Sequence, residues 1–196
     1  SDYAVTNETV GIPSEAVKTL AENDAVESVS TTRLSVFMPG AGDILPFETD
    51  LSVQSHETLQ LVNVDEAQLQ IYAPNLSAQD KQALKDGTGC LVKNPIAFSY
   101  GDTTVQQTDL TVGDTIQLGD RTLRVLGLID TAITINNDGF TNGVQLIVND
   151  EIYCLLLGND SYSEVYPTLR DSADAGTCES WLDCGCGDVR GPVWRA

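Results

Sequence analysis

A β-hairpin is the feature of this chain that most constrains its fold. Polar and apolar residues alternate from Thr115 to Leu118, and a second strand-like run extends from Arg121 to Ile129. Gly119-Asp120 separates the two runs, and a Gly-Asp pair in this position is typical of a two-residue hairpin turn. Strict alternation indicates that one face of the hairpin is buried and the other faces water.

Helix signals lie in both flanks of the chain. Pro13 predicts the start of a helix that ends near Asn23, because proline suits the first helical turn. Ser77 opens a motif similar to a capping box, and the helix that follows is expected to end before Gly87. Three further helices are predicted: one capped by Asp65, one from Asn149 to Leu157 and one from Asp171 to Asp183.

Short apolar or alternating runs predict strands at residues 26–30, 34–37, 59–64, 89–92, 144–148 and 163–169. Pro167 predicts that the last of these is an edge strand, because proline has no N–H to donate. Residues 97–148 are rich in Thr, Gly and Val and carry almost no helix signal. We therefore predict an α+β fold. Residues 1–95 and 145–196 form a discontinuous α/β subdomain, and residues 96–144 form an inserted β-rich subdomain.

The charge of the chain excludes one class of partner. Its 196 residues carry a formal net charge of -19, whereas a surface that binds a nucleic-acid duplex needs clustered Lys and Arg. The same charge argues against docking on anionic lipid. No run approaches the roughly 20 apolar residues of a membrane span. Because the chain begins with Ser1, we expect it to be a fragment of a longer protein, and Trp194-Arg195 would suit the edge of a membrane helix beyond it.

Five cysteines are present, and they fall into two groups. Cys90 and Cys154 lie in apolar runs and are expected to be buried free thiols. Cys178, Cys184 and Cys186 form the sharpest cluster. Three interpretations stay open for it: free thiols, one disulfide from Cys178 to either of the others, or a soft metal held by three thiolates. The paired Cys-x2-Cys motifs of zinc sites are absent, so these residues are only candidate metal ligands and no cofactor is expected.

No catalytic or ligand-binding residue can be assigned. His56 is the single histidine, and no Gly-x-Ser-x-Gly motif accompanies it, so a catalytic triad is not predicted. Residues 136–139 resemble part of a calcium-binding EF-hand loop. Thr134 and Gln145 would occupy its first and last ligand positions, however, and a β-turn is expected instead. The chain has no phosphate-binding loop and is not itself an ATPase.

Paired carboxylates also occur, as chance predicts in so acidic a chain, and none is assigned to catalysis. They are Asp65/Glu66, Asp150/Glu151 and Asp171/Asp174.

The residue identities in the hairpin are more informative than its alternation pattern, which predicts only a hairpin with one buried face. Residues 110–130 read L-x-V-G-D-T-I-x-L and then L-x-V-x-G-L-I-D, which resembles the extracytoplasmic domain of ABC-transporter permeases of the FtsX/MacB type. Three other segments are similar to the same family: the helix and strand at 16–30, the L-x-x-G-x-G-C-L-V run at 84–92 and the strand-helix junction at 146–153. The five cysteines are not part of the family pattern.

The resemblance implies a domain held outside the membrane, between the first and second transmembrane helices of a permease. Such a permease works with a cytoplasmic ABC ATPase and usually with a second permease copy. The domain would not be an enzyme and would need no cofactor. It would bind a peptide, lipid or protein partner and transmit movement that ATP hydrolysis drives. The implied architecture is an α/β subdomain next to the membrane with a β-rich subdomain inserted in it.

Two other functions stay open at this point. A secreted or cell-surface binding module would have a signal peptide but no multi-span gene. A hydrolase would use one of the carboxylate pairs in a deep acidic cleft, but the sequence offers no nucleophile motif to support it.

Overall fold

The computed structural model describes residues 3–6, 11–53, 57–96, 98–105, 109–133, 143–170 and 194–195. The chain divides into two compact units. The terminal unit comprises Ser1–Arg33 and Asp160–Ala196, and the inserted unit comprises Leu34–Asn159. The predicted subdomain boundaries at 95/96 and 144/145 lie at other positions and stay a prediction.

Four helices and eleven strands are described. In chain order they are β1 (Tyr3–Thr6), α1 (Ser14–Ala21), β2 (Val26–Phe37), β3 (Thr58–Val64), α2 (Glu66–Tyr72), α3 (Ala78–Lys85), β4 (Gly89–Lys93), β5 (Phe98–Tyr100), β6 (Thr103–Val105), β7 (Thr115–Leu118), β8 (Arg121–Leu128), β9 (Gly143–Ile147), α4 (Asp150–Leu157), β10 (Glu164–Leu169) and β11 (Trp194–Arg195). This mixture of helices and sheet confirms the predicted α+β class. No helix among the described residues is long and apolar enough to cross a membrane.

Antiparallel strands form the terminal unit, in the order β11-β1-β10-β2. The predicted edge position of the strand with Pro167 is wrong, because β10 pairs with β1 on one side and β2 on the other. The pairing with β1 is described at Glu164 and Val165, and Pro167 lies beyond it, opposite Val29 of β2. A proline disrupts a ladder only where its missing N–H is needed, so an interior strand can hold one at a position where no ladder bond requires that donor.

The core of the terminal unit forms between α1 and its strands. Val17 and Leu20 of α1 are buried together with Ile12, Val26 and Val165. The two strands predicted at 26–30 and 34–37 are one continuous strand, β2, because the intervening residues Thr31, Thr32 and Arg33 stay extended.

A sheet in the order β3-β9-β4-β8-β7 forms the centre of the inserted unit. β3 and β9 are parallel, as are β4 and β8, while β9 is antiparallel to β4. The predicted hairpin is confirmed as β7 and β8, with Leu118 opposite Arg121 and Gly119-Asp120 as the turn. Gly119 has a φ of +57°, a conformation that glycine adopts at little cost.

Both faces of this sheet are covered. Leu59, Leu61 and Leu146 share one buried cluster with Ile152 and Tyr153 of α4. On the other face of the sheet, Val62, Leu91 and Ile147 cluster with Leu84 of α3. Leu69 of α2 packs against this second cluster. Because both faces are buried, β3, β4 and β9 do not show a strict alternation of apolar and polar residues.

The predicted helix caps are confirmed at three helices. Asp65 accepts from the Gln68 N–H at 2.9 Å, and Ser77 accepts from the Asp80 N–H at 3.1 Å. Asn149 accepts from the Ile152 N–H at 2.9 Å. These bonds satisfy donors that the first helical turn would otherwise leave without a partner. The helix predicted at 171–183 lies outside the described residues.

Asn149 has a second role, which makes its side chain a sensitive point of the inserted unit. Its Nδ2 donates to the Lys85 carbonyl at 2.9 Å, so it links α4 to the end of α3. We expect Asn149→Ala to lower the free energy of unfolding by about 1 to 2 kcal/mol, through loss of the cap and of this bond. Asn149→Ser keeps a capping oxygen and should recover about half of the loss. Urea denaturation followed by circular dichroism measures both, and equal stabilities of all three proteins would contradict the prediction.

Candidate functional site

Several of the residues singled out in the sequence lie outside the described residues. These are His56, Thr134, residues 136–139, Asp171, Asp174 and the cysteine cluster Cys178, Cys184 and Cys186. Their roles therefore stay predictions. Within the part of the chain that the structure describes, no group of three or more His, Cys, Asp and Glu side chains could hold a metal ion.

The two cysteines predicted to be buried free thiols are both thiols outside any disulfide, but they differ in exposure. Cys90 lies in β4 and is fully buried, whereas Cys154 on α4 is half-buried. Burial raises the pKa of the Cys90 thiol to about 12, because a thiolate would lose its hydration there. At pH 8 roughly one such thiol in 10⁴ is ionised, so Cys90 is poorly suited to act as a nucleophile.

Thiol labelling tests this difference. In a variant with Cys178, Cys184 and Cys186 changed to Ser, we expect a disulfide reagent to modify Cys154 and to reach Cys90 only after unfolding. Because the Cys90 pKa is raised in the folded state, the unfolded chain loses this proton first. Alkaline pH above about 9 should therefore reduce stability. Equal labelling rates of the two thiols in the native protein would contradict the prediction, and Cys154→Ser provides the control.

Two of the described carboxylates of the predicted pairs, Asp65 and Glu151, have structural partners. Asp65 caps α2, and the Glu151 carboxylate pairs with the Arg121 guanidinium at 2.7 Å. An exposed ion pair of this kind contributes little to stability, but it orients α4 against the turn of the hairpin.

A row of buried polar side chains crosses three strands of the inserted unit. Gln60 of β3 lies opposite Gln145 of β9, which lies opposite Lys93 of β4. The Gln145 amide donates to Gln60, and the Lys93 ammonium donates to the Ile133 carbonyl. Buried polar groups are costly unless they are hydrogen-bonded, so this row favours one register of the three strands. Gln145 thus lies in a strand instead of at the end of a calcium loop.

A second feature of the inserted unit is the segment of residues 38–50, which we call the strap. Phe47 is buried in an edge-to-face contact with Phe37, their ring centroids 5.8 Å apart. Thr49 forms a β-bridge with Leu118, and the Gly119 N–H donates to the Glu48 carbonyl at 2.8 Å. The strap is therefore bound along β7 at its base.

The tip of the strap is ordered by its own hydrogen bonds. The Met38 N–H donates to the Asp43 carboxylate at 2.7 Å, and the Ala41 N–H donates to the Met38 carbonyl at 2.9 Å. Gly42 closes this turn with a φ of +101°. The tip holds two apolar side chains in water, with Ile44 91% exposed and Met38 44% exposed.

A third feature is the buried guanidinium of Arg33 in the terminal unit. Arg33 is 2% exposed and lies 3.8 Å from the centroid of the Tyr162 ring, over its face. Its Nε and Nη2 atoms donate to the Asp160 carbonyl at 3.2 and 3.0 Å. Ser14 in turn donates to the Asp160 carboxylate at 2.7 Å. Arg33 and Asp160 are the residues at which the chain leaves and re-enters this unit, so the contact ties its two segments together.

The sequence alone did not point to these features. Arg33 is one basic residue in a Thr-rich strand, and nothing around it predicts burial. The Gly, Pro and Asp content of residues 39–50 predicts a loop, but it does not predict the contacts that hold this loop on β7. One signal was available for its tip: Ile44 is a large apolar residue next to Asp43, although the same loop also holds Leu45 and Phe47, which are partly or fully buried.

Comparison with known proteins gives similarity in structure only. No protein-family model matches the chain, and no curated protein matches it in sequence. The periplasmic region of MacB from Actinobacillus actinomycetemcomitans is similar, with a TM-score of 0.58 and 11% identity over 98% of this chain and 87% of that one. The extracellular domain of the noncanonic ABC-type transporter YknZ from Gram-positive bacteria has a TM-score of 0.52 and 11% identity, over 91% of this chain and 87% of that one.

Both similarities extend over nearly the whole chain, and at 11% identity they show the fold. They agree with the resemblance predicted from the hairpin and the three other segments. The chain therefore has the fold of the extracytoplasmic domain of MacB-type ABC transporters.

Proposed function

We propose that this chain is the extracytoplasmic domain of an ABC-transporter permease, and that it binds a partner or substrate outside the membrane without catalysing a reaction. The observation that carries this proposal is the fold similarity to the periplasmic region of MacB over 98% of the chain. The domain would pass on movement that ATP hydrolysis drives in a cytoplasmic ABC ATPase, with a second permease copy as a further expected partner.

The described side chains favour binding over hydrolysis. Asp65 and Glu151, from two of the three carboxylate pairs, act as a helix cap and an ion-pair partner. Cys90 is a buried, neutral thiol. In contrast, the strap holds two large apolar side chains, Ile44 and Met38, exposed to water, where a partner could cover them. A role in binding and coupling would need no reactive group in these positions.

Fractionation of the parent protein tests the localisation and the ATPase partner together. We expect the full-length protein to stay with the membranes after an alkaline wash, and an affinity-tagged copy to co-purify with an ATP-hydrolysing subunit. Protease added outside the membrane should cleave within this domain. A secreted protein that is washed from the membranes would overturn the proposal and would favour the alternative, a binding module without a transporter.

A deletion variant tests coupling. The Arg33 guanidinium donates to the Asp160 carbonyl, so the two backbones are separated by about the reach of one arginine side chain, and a short Gly-Ser linker can join these residues in place of residues 34–159. We expect this variant to retain membrane insertion and the ATPase subunit but to lose transport. Unchanged transport would argue against a coupling role for the inserted unit. The full chain with Ile71→Ser, an exposed substitution on α2, is the matched control.

A further inference from the structure

We infer that the tip of the strap, residues 38–44, is a docking knob for a folded protein that carries an apolar socket with Lys or Arg side chains at its rim. This inference rests on the proposed function in placing that partner outside the membrane. Three properties of the strap support it: its shape, its order and its charge.

The shape of the tip selects a concave partner. A side chain that is 91% exposed, as Ile44 is, projects into water and encloses nothing. Small molecules bind in concave sites that cover most of their surface, so a projecting tip does not suit them. The complementary surface is a pocket, and a stable pocket requires a folded partner. Single anchors that fill such pockets commonly supply a large share of binding energy.

The order of the tip lowers the cost of binding. The Asp43 carboxylate and the Met38 carbonyl fix the turn, and the contact of Phe47 with Phe37 fixes the base. A loop that is already in one conformation loses little entropy when it docks. Ile44 and Met38 are therefore presented to a partner without a prior folding step.

The charge of the strap selects the rim of the socket. Asp43, Glu48 and Asp50 are all exposed, and the sequence has no Lys or Arg between Arg33 and Lys81. Arg121 is a cation on β8, the strand that pairs with β7, but it forms an ion pair with Glu151. Like charges would repel a second copy of the same tip, and anionic lipid would be repelled too. A basic rim fits, because complementary charge raises the association rate.

Site-specific photo-cross-linking in the full-length parent protein tests the knob. A photoreactive residue is placed at Ile44 in one variant and at Ile71, 68% exposed on α2, in the matched control. The cross-linked protein is identified by mass spectrometry and then purified. Its binding to this chain is measured at about 50 mM and about 300 mM NaCl, a range over which exposed charges become screened.

We expect a protein adduct at position 44 and none of that protein at position 71. Ile44→Ser should weaken binding of the purified partner by about 10- to 100-fold, as for loss of one buried side chain. Ile71→Ser should leave binding within about 3-fold. Glu48→Gln should slow association and reduce its salt dependence, because the rim charges would have one fewer counterpart.

Three outcomes would overturn the inference: no adduct at position 44, an adduct with another copy of this chain, or binding that neither salt nor Ile44→Ser changes. These outcomes are distinguishable from failure of the proposed function. A parent protein that leaves the membranes but still gives the adduct refutes the permease assignment and keeps the knob. A parent protein that stays in the membrane with its ATPase but gives no adduct refutes the knob alone.

Discussion

Replacing Arg33 by Met is expected to lower the free energy of unfolding of the terminal unit by about 2 to 4 kcal/mol. The guanidinium is buried, donates twice to the Asp160 carbonyl and lies over the Tyr162 ring. Hydrogen bonds from a charged donor contribute about 1.5 to 3 kcal/mol, and a desolvated cation–π contact contributes about 2 kcal/mol. Met fills a similar volume but supplies neither interaction, and it leaves a carbonyl with fewer donors. Urea denaturation followed by circular dichroism measures the loss.

Arg170 provides a matched control within the same unit. Its Nε also donates to a backbone carbonyl, that of Asp24 at 3.0 Å, but its side chain is exposed. We expect Arg170→Met to change stability by about 0.5 kcal/mol or less, since water replaces the lost bond. Arg33→Lys should recover part of the loss, because it retains the charge without the forked geometry. If Arg33→Met and Arg170→Met were equally mild, burial would not be the cause of the effect.

Replacing Leu61 by Ala is expected to destabilise the inserted unit by about 3 to 4 kcal/mol. Leu61 lies in β3, is fully buried, and shares a core cluster with Leu146 of β9 and Tyr153 of α4. Truncation removes three methyl or methylene groups from this core and leaves a cavity that paired strands on a packed sheet can fill only in part. Thermal and urea denaturation of the variant measure the change.

Leu155 makes the control for this prediction, because it is the same residue type in the same unit but is 65% exposed on α4. Leu155→Ala should change stability by less than about 0.5 kcal/mol, since it buries little surface and Ala favours a helix. Comparable losses in the two variants would mean that Leu61 does not lie in the core described here. A loss confined to Leu61→Ala would support it.

Local interactions explain what could be predicted from the sequence. The hairpin turn at Gly119-Asp120 depends on backbone conformations of adjacent residues. The caps at Asp65, Ser77 and Asn149 depend on a side chain and an N–H three residues apart. Such signals involve a few neighbouring residues, and the sequence therefore determined them together with the α+β class.

The order of the strands and the surroundings of single residues were decided by tertiary structure. The burial of Arg33 depends on Asp160 and Tyr162, which are more than a hundred residues away in sequence. Pro167 predicted an edge strand, yet β10 is interior because β1 and β2 pair with it from distant parts of the chain. The contacts that hold the strap on β7, and so expose Ile44 on an ordered tip, are likewise long-range. Composition and residue spacing do not show which distant segments pair, because long-range pairing depends on how the whole chain packs.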